Sequence, residues 1–491
     1  MNRTIAATLF ASLASLAFGA PLAAAPGKPA DPQPVDPYAE PAPVDPYAAP
    51  AKPVAKPAGT KPAPAAKPAP AKPAPVPAPE PAADPYAAPA AAPRVRFDLA
   101  AVQGLLAVQR LDGWLLADDG AANPIARQLV NPDGAPQRRW FYLIPAEGQP
   151  IALVHTSEMG DFARVPGTKI AYTGYRDLEK SLRTMLKGKK TIAMEYSPKG
   201  ALPSISRTDA GTLELIRGLG VLVKGSEGLV SFTKALWGPD GRKSHYVAAH
   251  HLTELRKEAL AFVAKQVGAG AVVSEHDVQQ RLVHGMQMRG LVGPPPVVAA
   301  GANTADPYYV PSAGRSANIS RGDLLVITLA GKVDGEGGIF AELTWVAFVG
   351  DTVPDRMAKA FDVVALARDE AIKTIRARLE HHRAVKGFEV DDAARSFIAK
   401  AGWVEQFVHR TGHSIDSDLQ GGGADLDDYE VKDTRNLVQG SGFTIAPGVY
   451  FPNELGVRAE VCAFLGTRGL EVTTPAQDAI EVLLPKSPSK P

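Results

Sequence analysis

Apolar residues fall in three regimes along the chain. From Ile5 to Ala20 they run without a charge, from 26 to 93 branched apolar residues almost vanish, and beyond 94 they return in periodic blocks. Leu105-Leu-Ala-Val-Gln-Arg-Leu-Asp-Gly-Trp114-Leu-Leu begins with helical spacing and turns into a buried strand. Arg138 to Pro145 reads as a strand closed by proline, and Pro150 to His155 as another. Tyr175 to Leu186 has helical spacing, Thr191 to Tyr196 is a short strand, and Asp209 is placed to cap a helix reaching Arg217. Strands alternating with helices predict an α/β layer over 94–232. Over 233–486 the pattern predicts long helices at 239–266, from Ser274 to Met288, near 357–380 and near 390–401. Ser274, with Glu275 and Asp277 in the first turn, is a good helix cap. Gly322 to Ala330, Phe340 to Gly350, Phe443 to Tyr450 and Gly456 to Val461 read as strands.

The first regime changes the picture of location. Arg3, the charge-free run and Leu22-Ala-Ala-Ala25 have the layout of an export signal over 1–25. A run of 16 is short for a membrane span, so cleavage and export are expected, with an inner-membrane anchor as the alternative. No cysteine lies near residue 25 to carry a lipid, and the single Cys462 excludes an intrachain disulfide. Residues 26–93 are Pro, Ala and Lys, with Val-Asp-Pro-Tyr-Ala at 35 and 44 and Ala-Asp-Pro-Tyr-Ala at 83. They cannot bury enough surface to offset chain entropy and are expected to be a disordered linker. As polyproline II at roughly 3.1 Å per residue, the linker spans on the order of 200 Å. Its lysines offer contact with an anionic envelope polymer or membrane surface. A formal net charge of +1 gives no reason to expect nucleic acid.

The chemistry concentrates in 405–460. It opens Glu405-Gln-Phe-Val-His-Arg-Thr-Gly-His413 and passes Gln420-Gly-Gly-Gly423. It ends in Phe443-Thr-Ile-Ala446-Pro-Gly and Gly456-Val-Arg-Ala-Glu460-Val. Upstream stand Ala305-Asp-Pro-Tyr308-Tyr, Gly322-Asp-Leu-Leu-Val-Ile-Thr328-Leu-Ala and Phe340-Ala-Glu342-Leu-Thr-Trp345. This set resembles the pita-bread metallopeptidases, the M24 family of aminopeptidase P, prolidase and methionine aminopeptidase. The resemblance implies an α+β pita-bread domain over 233–486, preceded by a creatinase/prolidase-like α/β domain over 94–232. The phrases Asp-Gly-Trp-Leu-Leu, Arg-Arg-Trp-Phe-Tyr-Leu-Ile-Pro and Met-Glu-Tyr-Ser-Pro look like one bacterial branch of that group. It further implies that the first domain overhangs the cleft and that homodimers form, as in many relatives.

Carried over residue by residue, the five metal-ligand positions of the family fall on Thr328, Glu342, His413, Ala446 and Glu460. Its two proton-shuttling histidines fall on Tyr308 and Gln420. Thr328 and Glu342 are 14 residues apart, wider than usual, and the Gly-rich turn Asp334 to Gly338 takes up the difference. A two-metal hydrolase needs bridging carboxylates to offset the repulsion between cations, and acid–base groups to move protons. Neutral Thr328 and Ala446 remove anionic donors, so a paired-metal site is expected to be lost. Glu342, His413 and Glu460 retain the ligand set of a single divalent metal (Mn, Zn or Co). Glu342 is one methylene longer than the aspartate it replaces, enough to misplace a ligand by ~1 Å. The expected function is therefore a catalytically silent, exported member that binds a peptide or other ligand, without metal or with one. The alternatives are a one-metal Xaa-Pro hydrolase and a metal-free enzyme of other chemistry. Creatinase is of the last kind, but its histidines have no match here. The bland reading keeps His413 as a hydrogen-bonded strand residue and Glu460 as a partner of Arg458 or Arg410.

Nothing else supplies an engine. There is no nucleophile elbow, phosphate loop or dinucleotide fingerprint. His245, His250, His251, His276 and His284 lie on helices without flanking carboxylates at ligand spacing, and read as surface or core. Arg138, Arg139 and Trp140 read as packing. Asp425, Asp427, Asp428, Glu430 and Asp433 do not fit an EF-hand and are expected to form a solvated loop.

Overall fold

Trp114, Trp140, Phe141 and Tyr142 are all fully buried, and they mark the centre of the first sheet. The computed structural model describes residues 97–484. The expected export signal (1–25) and the expected linker (26–93) lie outside the described residues. The first sheet contains β1 (Gly113–Asp118), β2 (Trp140–Pro145), β3 (Ile151–His155), β4 (Thr168–Tyr172), β5 (Thr191–Met194) and β6 (Leu222–Gly225). Its order is β4-β3-β2-β1-β5-β6. β1, β2 and β3 pair antiparallel, whereas β4, β5 and β6 join in parallel. Four helices, α1 (Leu99–Val108), α2 (Pro124–Val130), α3 (Tyr175–Met185) and α4 (Ala210–Gly218), follow this half of the chain. Asp209 does cap α4, accepting from the Thr212 amide. Both faces of the sheet are covered by apolar clusters, which is why its central strands carry almost no alternation.

A short helix, α5 (Glu227–Lys234), leads into α6 (Pro239–Gly268) and α7 (Glu275–Met288). Ser274 and Asp277 close a reciprocal capping box at the start of α7. Then come β7 (Leu291–Val292), β8 (Val297–Ala300), β9 (Leu324–Val333) and β10 (Ala341–Phe348), followed by α8 (Asp355–Glu380) and α9 (Gly387–Lys400). The chain finishes with β11 (Ser414–Ile415), β12 (Gly442–Ile445), β13 (Gly448–Phe451), β14 (Leu455–Arg458), β15 (Val461–Gly466), β16 (Gly469–Val472) and β17 (Glu481–Val482). β9 is the hub of one sheet, paired with β7, β8 and β10; β11, β12, β15 and β16 form another. Helices α6 and α7 close one core over β8 to β10 through Leu252, Leu255, Val278 and Leu282. Helices α8 and α9 close a second core over β12 to β15 through Phe361, Val364, Val390 and Ile398. Each helix pair thus shields one sheet, and the inner strands of the two sheets meet between them. This is the α+β pita-bread arrangement.

A small third cluster of Trp237, Ile339, Ile415, Cys462 and Phe464 sits at that meeting. Trp237 lies flat on Gly442: a Cβ there would stand 1.9 Å from the indole, so β12 needs a bare backbone at this point. The indole N–H of Trp237 donates to the Ile415 carbonyl at 2.9 Å, tying the interdomain segment to β11.

The acidic loop differs from expectation. Asp427 and Asp433 are buried rather than solvated. Asp427 accepts from the amides of Tyr429, Glu430 and Val431, and Asp433 holds Arg435 at 2.6 Å. Carboxylates with this many donors organise the loop backbone and need no cation.

Candidate functional site

Thr328 lies on β9, Glu342 on β10, His413 just before β11, Ala446 just after β12 and Glu460 between β14 and β15. The register places Thr328 directly opposite Thr344 across the β9–β10 pair. Their hydroxyl oxygens are 2.8 Å apart, and Thr344 Oγ1 donates to Glu460 Oε2 at 2.5 Å. Thr344 has one proton and spends it on Glu460, so Thr328 is the donor to Thr344. Thr344 was not singled out in the sequence. The signal was there, because Glu342 and Thr344 are two apart on a strand and so share a face.

Cys462 stitches the two sheets together beside Glu342. The Glu342 amide donates to Cys462 Sγ at 3.2 Å, and the thiol donates back to the Glu342 carbonyl at 3.1 Å. Burial holds the thiol well above its ordinary pKa, so it is a structural residue and no nucleophile.

His413 follows Gly412, where a Cβ would stand 2.0 Å from the Thr444 carbonyl oxygen. That close approach seats the segment on β12, and the His413 amide donates to Thr444 Oγ1 at 3.1 Å. Nδ1 faces the Ser414 carbonyl at 3.1 Å, which assigns the donor proton to Nδ1. Nε2 then points at Glu342 Oε2, 3.3 Å away. The pair is a charge contact with poor hydrogen-bond alignment, and Glu342 Oε2 is buried without a hydrogen-bond partner. Burial disfavours an imidazolium here, but the facing Glu342 carboxylate outweighs it and leaves the His413 pKa raised. Glu460 is raised too, first by burial and then by the neighbouring Glu342 charge, with Arg458 and Thr344 acting against the shift. Glu342, His413 and Glu460 therefore form one electrostatic cluster.

Neither arginine suggested for Glu460 makes an ion pair with it among the described residues, although the Arg458 charge acts to lower its pKa. Arg410 holds Asp425 at 3.0 Å, and Arg458 Nε donates to the Tyr450 hydroxyl at 3.1 Å. Tyr308 is exposed, and Gln420 accepts from the Arg410 guanidinium. Neither side chain hydrogen-bonds to the cluster among the described residues. The loop after His413 is braced from the N-terminal half: Gln128 donates to Ser417 at 3.0 Å, and Lys234 pairs with Asp418 at 2.9 Å.

Residues 244–464 match the family model for Metallopeptidase family M24. That segment, the second folded half of the chain, is similar to the M24 metallopeptidases. The chain is 28% identical over 216 residues to the Xaa-Pro dipeptidase of Lactobacillus delbrueckii subsp. lactis, covering 43% of this chain and 52% of that one. It is 32% identical over 165 residues to the probable dipeptidase PepE of Mycobacterium bovis, covering 33% and 40% of the two chains. The match thus spans about half the length, or less, of these curated relatives. The fold is similar to that of dipeptidase PepE from Mycobacterium ulcerans, with TM-score 0.60, 22% identity, and coverage of 78% of this chain and 96% of that one.

Family M24 centres hold two divalent cations, and the residues present do not fit such a pair. The Thr328 hydroxyl is neutral and already committed to Thr344, while Ala446 places a buried methyl where the family has a carboxylate. Glu460 spends one oxygen on Thr344, and Glu342 and His413 face each other. Among the described residues, no group of three or more His, Cys, Asp or Glu side chains is arranged to hold a metal ion. No reaction step can be routed through a metal pair on this donor set.

Proposed function

We propose that this M24-like chain binds a peptide or peptide-like ligand without hydrolysing it, in the cleft between Tyr308, Gln420 and the Glu342–His413–Glu460 cluster. The observation that carries this is the closed hydrogen-bond chain from Thr328 through Thr344 to Glu460. It satisfies inside the protein the oxygen atoms that would otherwise face a cation. A peptide ligand would compete for the Glu342–His413 contact, whose carboxylate oxygen has no well-aligned hydrogen bond. The exported location rests on the signal-like pattern of residues 1–25, and the 26–93 linker is read as the reach towards envelope polymer or membrane surface.

A second reading is favoured by the same bare oxygen. An unpartnered buried carboxylate oxygen beside a histidine is a place for one divalent cation, shared with Glu460, in an Xaa-Pro dipeptidase-type hydrolase.

Metal analysis of the purified chain and Xaa-Pro peptide turnover with added Mn²⁺, Co²⁺ or Zn²⁺ separate the two. Binding without hydrolysis predicts peptide binding by calorimetry, weakened by His413→Ala, with no turnover under any metal. Stoichiometric metal that is lost in His413→Ala, together with turnover, overturns it in favour of the one-metal hydrolase. Thr328→Asp combined with Ala446→Glu returns two carboxylates and should raise divalent-metal binding above that of the parent chain.

A further inference from the structure

Away from the cleft, the loop between α8 and α9 and the tight turn of the β15–β16 hairpin enclose a cavity of about 750 Å³. That volume is in the range of small-molecule sites. Its floor is apolar, with Leu437 and Leu465 buried and Leu379 beside them. Arg376, Arg383 and Arg468 stand around it. Among the described residues none of the three has an ion pair or a side-chain hydrogen bond, whereas Arg378 nearby is paired with Glu389 at 2.7 Å. One cation is enough to complement the carboxyl end of α8, and Arg378 in its last turn fills that role. Glu380 is the one acid of the lining, so the cavity carries an excess of positive charge. His382, also in the lining, has φ +52 because it closes α8: its amide donates to the Leu379 carbonyl and the Arg383 amide to the Arg378 carbonyl, the usual left-handed end of a helix.

We propose that this cavity binds a small amphiphilic anion: a phosphate or carboxylate held by Arg376, Arg383 and Arg468, with an apolar body lying over Leu379, Leu437 and Leu465. Three exposed arginines around one cavity offer an oxyanion charge-assisted, fork-shaped donors, which lysines could not match. The apolar floor selects against a bare ion, and the concave shape fits one molecule rather than a flat surface. The site is independent of the peptide cleft, because it is built from the far ends of α8 and the β15–β16 hairpin.

The test uses 8-anilinonaphthalene-1-sulfonate, an anion with an apolar ring body whose fluorescence rises in apolar sites, and its uncharged relative N-phenyl-1-naphthylamine. The full chain should bind the sulfonate at one site. Arg383→Ala with Arg468→Ala should weaken that binding at least about tenfold, the loss of a single charge-assisted contact already being worth that much. Binding of the uncharged probe should stay the same in both proteins, and His413→Ala should leave the sulfonate affinity intact. Decyl phosphate that displaces the probe from the parent chain while inorganic phosphate does not supports the amphiphile. Displacement by phosphatidylglycerol vesicles, abolished by the same pair of substitutions, supports a lipid as its source. Equal sulfonate binding by the parent and the double variant, with circular dichroism showing both folded, overturns the proposal.

Discussion

Glu195, just after β5 in the first sheet, and Glu342 on β10 are both buried carboxylates, in opposite circumstances. Glu195 accepts from Trp114 Nε1 at 2.6 Å, from Asn123 Nδ2 at 2.9 Å and from Ser226 Oγ at 3.4 Å. All three donors are neutral. Burial dominates and pushes its pKa up to about 7. Glu342 has no such shell. One oxygen is bare, a histidine faces it, and a second carboxylate lies in the same pocket. A carboxylate closed on all sides by neutral donors is a structural centre. Glu342 is compensated by charge rather than by a shell of hydrogen-bond donors, because His413 Nε2 faces its oxygen at 3.3 Å. The two buried carboxylates thus differ in how their burial is compensated, one by neutral donors and the other by a facing histidine.

Glu195→Ala gives the largest effect that could break this contrast. It strands the Trp114 and Asn123 donors over a cavity and should cost about 3–5 kcal/mol in denaturant unfolding of the full chain. A loss under ~1 kcal/mol would mean that Glu195 is not structural. pH dependence sharpens the same point. The folded chain keeps a proton on Glu195 that the unfolded chain gives up near its ordinary value of 4.5. The stability it confers is therefore complete below that pH and declines as pH rises through about 7. Relative to Glu195→Gln, the parent should lose on the order of 3 kcal/mol across that window. A parallel pair of stability curves would contradict the shift.

Thr344→Val probes the other pocket. It keeps the shape but leaves Thr328 and Glu460 without their shared partner, which should cost about 1–3 kcal/mol by thermal or chemical unfolding. Glu342→Gln should be the mildest, within ~1 kcal/mol, because its outer oxygen is already unpartnered and removing the charge relieves Glu460. The informative readout there is the His413 imidazole titration by NMR, which should move to lower pH once the facing carboxylate is gone. An unmoved His413 titration would separate the two residues and dissolve the cluster.

The long elements were legible because they announce themselves locally. Ser274 and Asp209 cap their helices as their residue types dictate, and the apolar stretches at Trp140 and Leu324 are strands. The edge strands Thr168–Tyr172 and Leu222–Gly225 went unread. Both are short and partly exposed, and their extended form depends on pairing with neighbours rather than on their own pattern. The acidic loop was misjudged for a similar reason. Composition says that Asp427 and Asp433 prefer water, yet backbone amides and Arg435 supply the same hydrogen bonds inside.

By itself the sequence determined which fold the chain takes and which chemical groups stand at each family position, since both follow from residue types in a fixed order. It could not show what those groups do with their hydrogen bonds. That Thr344 links Thr328 to Glu460, that Cys462 ties β10 to β15, and that Glu342 is left with an empty oxygen depend on strands brought together from up to 120 residues apart. Those pairings are set by strand register and burial, quantities that exist only once the sheets have packed.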